Sequence, residues 1–111
     1  MEGAEELTLS ISIERSRGCL NVYVRGELDI ASAPKLVQAV ADEIGNRVSE
    51  CVLDFRGVTF IDSEAIKSLI VLRRRLRANG TNLAIVNVNY PVTRILSLVD
   101  PSGETGWAGA S

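Results

Sequence analysis

The sequence predicts a single α/β domain, in which a mostly parallel sheet starts with an antiparallel strand pair and has helices packed against it. Three observations predict this fold. After an opening hairpin, strand-like and helix-like segments alternate along the chain. The segment 51–55 is nearly all apolar, which is typical of a strand covered on both faces. The length of 111 residues, 46% of them hydrophobic, suits one domain with one core.

The first two strands are predicted to pair as a hairpin. Leucine and isoleucine alternate with polar residues at positions 7–14, which is the period of a half-buried strand. Residues 16–18, Ser-Arg-Gly, are predicted as a turn, and a second strand follows at 19–25. Gly26 is expected to end this strand, so that residues 27–30 form a loop.

The first helix is predicted to begin at Ser32, with the serine as its cap and Pro34 in its first turn. It is expected to run to Ile44, where Gly45 and Asn46 supply the stop. The residues predicted to face inward follow helical spacing: Leu36, Val37, Val40, Ala41 and Ile44.

The rest of the chain is predicted as strand, helix, strand, helix. After the strand at 51–55, a helix is expected at 63–78, with leucines at helical spacing and the Asn-Gly pair at 79–80 as its left-handed cap. The fourth strand is expected at 82–88, and Pro91 opens the third helix.

One domain is expected over residues 1–111, folded at about 7–99. Residues 100–111 are rich in glycine and serine and are expected to form a flexible tail, in which Trp107 is a candidate for docking. No apolar run approaches the roughly 20 residues of a membrane-spanning helix. The acidic residues 1–6 do not match a signal peptide, so we expect a cytoplasmic protein without membrane insertion.

Composition argues against several classes of function. The chain has no histidine, which removes Ser-His and Cys-His nucleophiles and the commonest zinc ligand. Cys19 and Cys51 lack metal-ligand spacing and are expected to be small buried hydrophobes. The net charge of −2 argues against a nucleic-acid partner, so the arginines within 73–77 are predicted to be a solvated helix face. No phosphate-binding loop is present, and we expect neither a cofactor nor catalysis.

Ser63 has two interpretations. It follows Asp62 at the predicted start of a helix, so either residue could be the helix cap. Alternatively, its hydroxyl is a phosphorylation site, because free N–H groups and the helix dipole favour an anion at that position. A phosphate there would leave the fold intact but would expel a partner packed over it.

Residues 27–30, Glu-Leu-Asp-Ile, are predicted to lie at the same edge of the sheet as Asp62 and Ser63, because both segments follow parallel strands. An ordinary solvated loop is one interpretation of this segment. The alternative is a contact patch, because Leu28 and Ile30 would otherwise be apolar surface without a use.

At these residues the chain resembles the STAS domain family, and within it the bacterial anti-sigma factor antagonists. The resemblance covers residues 9 to about 98. It rests on the order and spacing of short pieces: Gly26-Glu27-Leu28-Asp29 with Ala33-Pro34, Leu53 through Ser63, Asn79-Gly80, and Pro91-Val92.

The resemblance implies a partner-switching regulator without a cofactor. Ser63 would be phosphorylated by a serine kinase that is itself the anti-sigma factor, and a phosphatase would reset the cycle. The unphosphorylated antagonist would bind the kinase and free the sigma factor for transcription, without direct contact to nucleic acid, and a weak homodimer is left open. The partner-binding residues implied are Glu27, Leu28, Asp29, Ile30, Ser32, Asp62, Ser63, Glu64 and Lys67.

The chain departs from the family pattern directly after Ser63. Glu64 places a carboxylate beside the modified hydroxyl, and Ala65 replaces a usual glycine. The final amphipathic helix of many members is also missing from residues 101–111. Glu64 and Ala65 keep open an alternative function, a constitutive STAS scaffold in a transport or signalling complex without phosphoswitching.

Overall fold

The computed structural model describes residues 9–45, 47–103 and 105–107. Within them, the sheet has the strand order β1-β2-β3-β4; β1 and β2 pair antiparallel, whereas β2, β3 and β4 pair parallel. This arrangement confirms the predicted fold class. The elements in chain order are β1 (Leu9–Ser16), β2 (Cys19–Leu28), α1 (Ala33–Glu43), β3 (Glu50–Ile61), α2 (Ser63–Ala78), β4 (Asn82–Val86) and α3 (Tyr90–Val99).

The predicted hairpin is present. Arg17 and Gly18 both have positive φ, 44° and 78°, as a two-residue turn between twisted strands requires. Leu7 and Thr8, which the alternation assigns to the first strand, lie outside the described residues. Cys19 and Cys51 are free cysteines; Cys51 is buried and Cys19 is half-buried.

One face of the sheet carries the core. Alternate strand residues are buried beneath the helices, while the residues between them are exposed or half-buried on the opposite, helix-free face. The largest fully buried side chains include one aromatic ring, Phe55, among leucines, isoleucines and valines. The sheet therefore has one covered face and one open face.

Two strands are longer than predicted. β2 continues through Gly26 to Leu28, and β3 continues to Ile61 instead of ending at Phe55. The pairing of β2 with β3 contains register shifts between Tyr23 and Arg25 and again between Gly26 and Glu27. Such bulges let a strand continue through residues that break the alternation of inward and outward side chains. Gly26, with a φ of 109°, takes up the second irregularity.

The helices match their predictions closely, with corrections at their ends and at Ala41, which was predicted to face inward but is exposed because the buried face of α1 is narrower than predicted. Ser32 is in the N-cap position of α1, but its side chain makes no capping hydrogen bond. Asn79 and Gly80 follow α2 as predicted, and Gly80 has a φ of 86°. Asn46, the predicted stop of α1, lies outside the described residues.

The fourth strand ends at Val86, two residues before the predicted end, because Asn87 adopts a φ of 59°. Asn89 then caps α3 by accepting a hydrogen bond from the Val92 N–H. This is one residue earlier than a helix that starts at Pro91 would need.

Trp107 docks although it belongs to the segment expected to be a flexible tail. Its side chain is buried in the core cluster, and its indole N–H donates to the Leu83 carbonyl oxygen. Asp100 positions it through Thr105, since both the N–H and the hydroxyl of Thr105 donate to Asp100 Oδ2. Residues 104 and 108–111 of the predicted tail lie outside the described residues.

Candidate functional site

Asp62, and not Ser63, is the cap of α2. Its Oδ1 accepts the Ala65 N–H at 2.8 Å, and its backbone is extended, as an N-cap requires. Ser63 is the first residue of the helix and is exposed. Within the described part of the chain its hydroxyl has no hydrogen-bond partner. The hydroxyl is therefore not needed for folding and is accessible for modification.

Asp62 also joins α2 to the segment between β2 and α1. Its second carboxylate oxygen, Oδ2, accepts the Ile30 N–H at 3.2 Å. Its own N–H donates to the Leu28 carbonyl oxygen at 3.2 Å, beside the paired positions Leu28 and Ile61. The structure thus brings the two sequence-predicted segments together at the carboxyl ends of β2 and β3.

The β2–α1 segment is organised by Asp29 and Ser32. Asp29 Oδ1 accepts the Ser32 N–H at 2.8 Å and the Ala31 N–H at 3.0 Å. The Ser32 hydroxyl accepts the Asp29 N–H at 2.9 Å and lies 2.8 Å from the Glu27 carbonyl oxygen. The hydrogen bonds from Ser32, first from its backbone N–H and then from its hydroxyl, lower the pKa of Asp29. These hydrogen bonds therefore order the segment, and the bond from the Ile30 N–H to Asp62 fixes it beside the start of α2.

Two residues predicted to contact a partner are buried. Leu28 is fully buried at the end of β2, and 5% of Ser32 is exposed. Leu28 was assigned to the contact patch because residues 27–30 were expected to form a loop. Since β2 continues through Leu28, its side chain enters the core, and Ser32 supports the segment from within.

The other predicted residues form an accessible surface. Ile30 is 65% exposed. Glu27, Ser63, Glu64 and Lys67 are also exposed, whereas Asp29 and Asp62 are half-buried. The Lys67 ammonium lies 3.4 Å from the Glu64 carboxylate, so part of the negative charge next to Ser63 is compensated.

Phe60 was not singled out from the sequence, but the structure places it in this region. It is 49% exposed, and it pairs with Glu27 across the sheet, two residues before Asp62. An apolar groove of about 220 Å³ lies beside it, lined from α3 by Pro91, Val92 and Ile95. Alternation from the buried Val58 would turn Phe60 inward, but the register shift that leaves Thr59 out of the pairing turns Phe60 outward, so the sequence carried no periodic signal for it. We refer to the exposed residues of this region as the Ser63 surface: Glu27, Ile30, Phe60, Ser63, Glu64 and Lys67.

The arginine-rich stretch of α2 is mostly a solvated face, as predicted, with one correction. Arg74, Arg75 and Arg77 are exposed, but Arg73 is only 6% exposed. Arg73 lies with Leu72 and Leu76 on the buried side of the helix, although the sequence shows it as one of several consecutive arginines.

None of the helices in the described ranges is both long and apolar enough to cross a membrane.

Comparisons with known proteins agree with this architecture. The STAS domain model matches residues 10–102. The anti-sigma F factor antagonist of Paenibacillus polymyxa is 29% identical over 93 residues, which span 83% of this chain and 80% of that protein.

Solved structures give the same result at the level of the fold. An anti-sigma factor antagonist from Mycobacterium paratuberculosis superposes with a TM-score of 0.72, at 27% identity, over 87% of this chain and 81% of its own. The unphosphorylated anti-sigma factor antagonist SpoIIAA gives a TM-score of 0.72 at 20% identity, over 88% of this chain and 84% of its own. SpoIIAA from Bacillus has also been solved in its phosphorylated form, with a TM-score of 0.67 at 21% identity over 88% of this chain and 87% of its own.

Proposed function

The chain belongs to the STAS domain family, and we propose that it acts within that family as an anti-sigma factor antagonist. In this function it is a non-catalytic regulator that binds an anti-sigma factor of the serine kinase type and frees the sigma factor. Phosphorylation of Ser63 ends the binding, and a phosphatase restores it. The names of the relatives support the antagonist function, and the kinase, the phosphatase and the switch are our extension of it.

The observation that carries this proposal is the state of Ser63. Its hydroxyl is exposed and unbonded in the described structure, at the first position of a helix whose cap is supplied by Asp62. A phosphate at that position meets the positive end of the helix dipole, which offsets about 0.3–1 kcal/mol of its unfavourable interactions. The domain would therefore keep its fold when Ser63 is phosphorylated.

A partner that covers the Ser63 surface would respond differently. Ile30 and Phe60 offer exposed apolar contact area in the same region as Ser63, so a partner bound there would exclude water from the serine. A phosphate adds about −1.5 to −2 charges, and burying that charge without a counterion costs several kcal/mol. A loss of even ~3 kcal/mol lowers affinity about a hundredfold.

The switch is tested with Ser63→Asp and Ser63→Ala in binding measurements by calorimetry against the anti-sigma factor kinase of the same organism. Ser63→Asp should keep its far-UV circular dichroism spectrum but bind at least tenfold more weakly, whereas Ser63→Ala should bind regardless of ATP. Ser97→Asp is the matched control, because it places the same charge on an exposed position of α3. A Ser63→Asp variant that binds as tightly as the wild type would rule out the switch.

The modification itself is tested by mass spectrometry of protein isolated from its own cells. Trypsin should release residues 57–67 as one peptide, since Arg56 precedes it and Lys67 ends it. We expect phosphate on Ser63 and none on Thr59, whose hydroxyl lies 3.3 Å from the Gly26 carbonyl oxygen.

Glu64 favours the second candidate function, a constitutive scaffold in a transport or signalling complex. Its carboxylate directly follows Ser63 and would repel a phosphate there. A scaffold would be recovered from cells with the same partners whether or not Ser63 is replaced by Asp. A phosphoswitch would lose its kinase on the same replacement. One pull-down that compares the wild type with Ser63→Asp therefore separates the two functions.

A further inference from the structure

The helix-free face of the sheet carries a cavity of about 490 Å³ that is separate from the Ser63 surface. It spans two neighbouring rows of paired residues. One row contains Ser10, Arg25 and Gly57, and the other contains Ser12, Tyr23 and Asp54.

Small residues and a bulge produce the concave shape. A β-carbon on Gly57 would lie 3.1 Å from both Cβ and Cγ of Arg25, so the absent side chain leaves room for the arginine stem. The register shift after Tyr23 also inserts Arg56 into the pairing before Val58 turns inward. Arg56 therefore joins Arg25 at the cavity. On the β1 side the cavity is lined by the short side chains of Ser10 and Ser12, which leave its volume open.

The cavity is lined by hydrogen-bond donors without partners. Within the described residues, neither the guanidinium groups of Arg25 and Arg56 nor the hydroxyls of Ser10 and Ser12 take part in a hydrogen bond or ion pair. The charged residues of the lining are two arginines and Asp54, a net charge of +1 (2 − 1), in a protein whose net charge is −2.

The acceptors at the cavity are already engaged. Asp54 Oδ1 accepts the Arg56 N–H at 2.9 Å, and Asp54 Oδ2 accepts from the Asn87 amide at 2.9 Å. The Tyr23 hydroxyl donates to Glu14, and this hydrogen bond raises the pKa of the phenol, which therefore stays neutral. The ligand that fits such a lining is an anion that accepts several hydrogen bonds.

We propose that this cavity binds the phosphate group of a small phosphorylated molecule through Arg25, Arg56 and the hydroxyls of Ser10 and Ser12. Guanidinium forks match the oxygen spacing of phosphate, and a tetrahedral dianion can engage two forks and a hydroxyl at once. A planar carboxylate with one charge uses a single fork. The volume lies within the ~300–1,000 Å³ range of small-molecule sites, so there is room for the organic part of a phosphate ester.

The proposal is tested by nuclear magnetic resonance on ¹⁵N-labelled protein titrated with phenyl phosphate, inorganic phosphate and acetate. Saturable shifts at the amides of Arg25, Arg56 and Gly57 are expected with both phosphates. The double variant R25Q/R56Q should weaken phenyl phosphate binding at least tenfold. The matched control R74Q/R77Q removes two exposed charges from α2 and should bind as tightly as the wild type.

Three results would overturn this assignment. Shifts that do not saturate, or that fall on α2 instead of the cavity, would show that there is no such site. If both double variants bound phenyl phosphate equally weakly, the loss of binding would follow from the lower positive charge of the protein and not from a specific site. Acetate that binds as tightly as phenyl phosphate would replace a phosphate site with a general anion site. Both arginines are exposed, so the R25Q/R56Q variant keeps its fold, and its amide spectrum checks this.

Discussion

Asp62 both caps α2 and joins that helix to the segment before α1, the two parts of the candidate site. Its two carboxylate oxygens accept N–H groups from different segments, Ala65 in α2 and Ile30 before α1. Asp62→Ala removes the helix cap and this connection together. We expect it to lower the free energy of unfolding by about 1–2 kcal/mol, measured by urea denaturation.

Ser63→Ala is the matched control for Asp62→Ala. The hydroxyl of Ser63 has no partner in the described structure, so its removal should leave stability within about 0.5 kcal/mol of the wild type. If Ser63→Ala were as destabilising as Asp62→Ala, the assignment of the cap to Asp62 would be wrong.

Asp29 makes the β2–α1 segment sensitive to acid. The hydrogen bonds from Ser32 hold its pKa below the ordinary value of 3.8, so the folded state favours the carboxylate. The stabilisation by Asp29 is therefore complete above the unfolded pKa and is lost as the pH falls through the lowered folded pKa. Asp29→Asn should reduce the urea midpoint by a constant amount above about pH 5, and the difference should shrink at lower pH. A difference that grows toward acid pH would contradict this.

At the scale of elements, β3 depends on the absence of a side chain at Gly57. A β-carbon there would lie 3.1 Å from the Arg25 side chain and 3.2 Å from the Val24 carbonyl oxygen. We expect Gly57→Ala to cost about 1–2 kcal/mol of stability, because the backbone oxygen cannot move aside as a flexible side chain can. Gly45→Ala is the control, since a β-carbon at Gly45 would have nothing within 4 Å, and it should be close to neutral. Equal losses in the two variants would mean that close packing at Gly57 is not the cause.

The elements that local sequence determines were predicted well. The bounds of α2 were predicted from leucine spacing and the Asn-Gly cap, because both signals lie within the helix itself. The end of β3 was not, because bulges are defined by the pairing of two strands that are far apart in sequence. The errors at the ends of β2 and β3 assigned Leu28 to the surface and left Phe60 out, so the sequence predicts that the two segments meet but not which of their side chains are exposed.

The same limit explains why the sequence does not predict the cavity on the helix-free face of the sheet. Its lining comes from three strands, and the residues that pair within each row lie far apart in sequence. Arg25 and Arg56 are 31 positions apart in the numbering and become neighbours only through the parallel pairing of β2 with β3. No local sequence pattern predicts such a pair, whereas Asp62 and Ser63 are adjacent and their pattern lies within one short segment.

At the scale of the whole molecule, the two proposed functional surfaces are built on one sheet. The Ser63 surface lies where β2 and β3 end, and the cavity lies on the helix-free face. The strand β3 supplies residues to both, since it carries Arg56 and Gly57 at the cavity and Phe60 at the Ser63 surface. Because β3 pairs on both sides, neither surface can be changed by moving this strand without disturbing the core.

The segment after α3 completes the core at the edge of the sheet. Trp107, the single tryptophan of the chain, is 2% exposed, and its indole N–H donates to the Leu83 carbonyl oxygen at 3.4 Å. The tryptophan therefore covers β4, a strand whose outer edge would otherwise be open to pairing with another chain. Trp107→Ala should lower the free energy of unfolding by about 3 kcal/mol, because it removes a large buried ring.

The intrinsic fluorescence of Trp107 tests the same packing without a mutation. If the ring is part of the cooperative core, its fluorescence and the far-UV circular dichroism should change at the same urea concentration, because a two-state domain loses all its structure together. A fluorescence transition at lower urea would mean that the segment undocks before the domain unfolds. In that case Trp107→Ala would leave the circular dichroism midpoint unchanged, so the two measurements together decide whether this edge of the sheet is permanently covered.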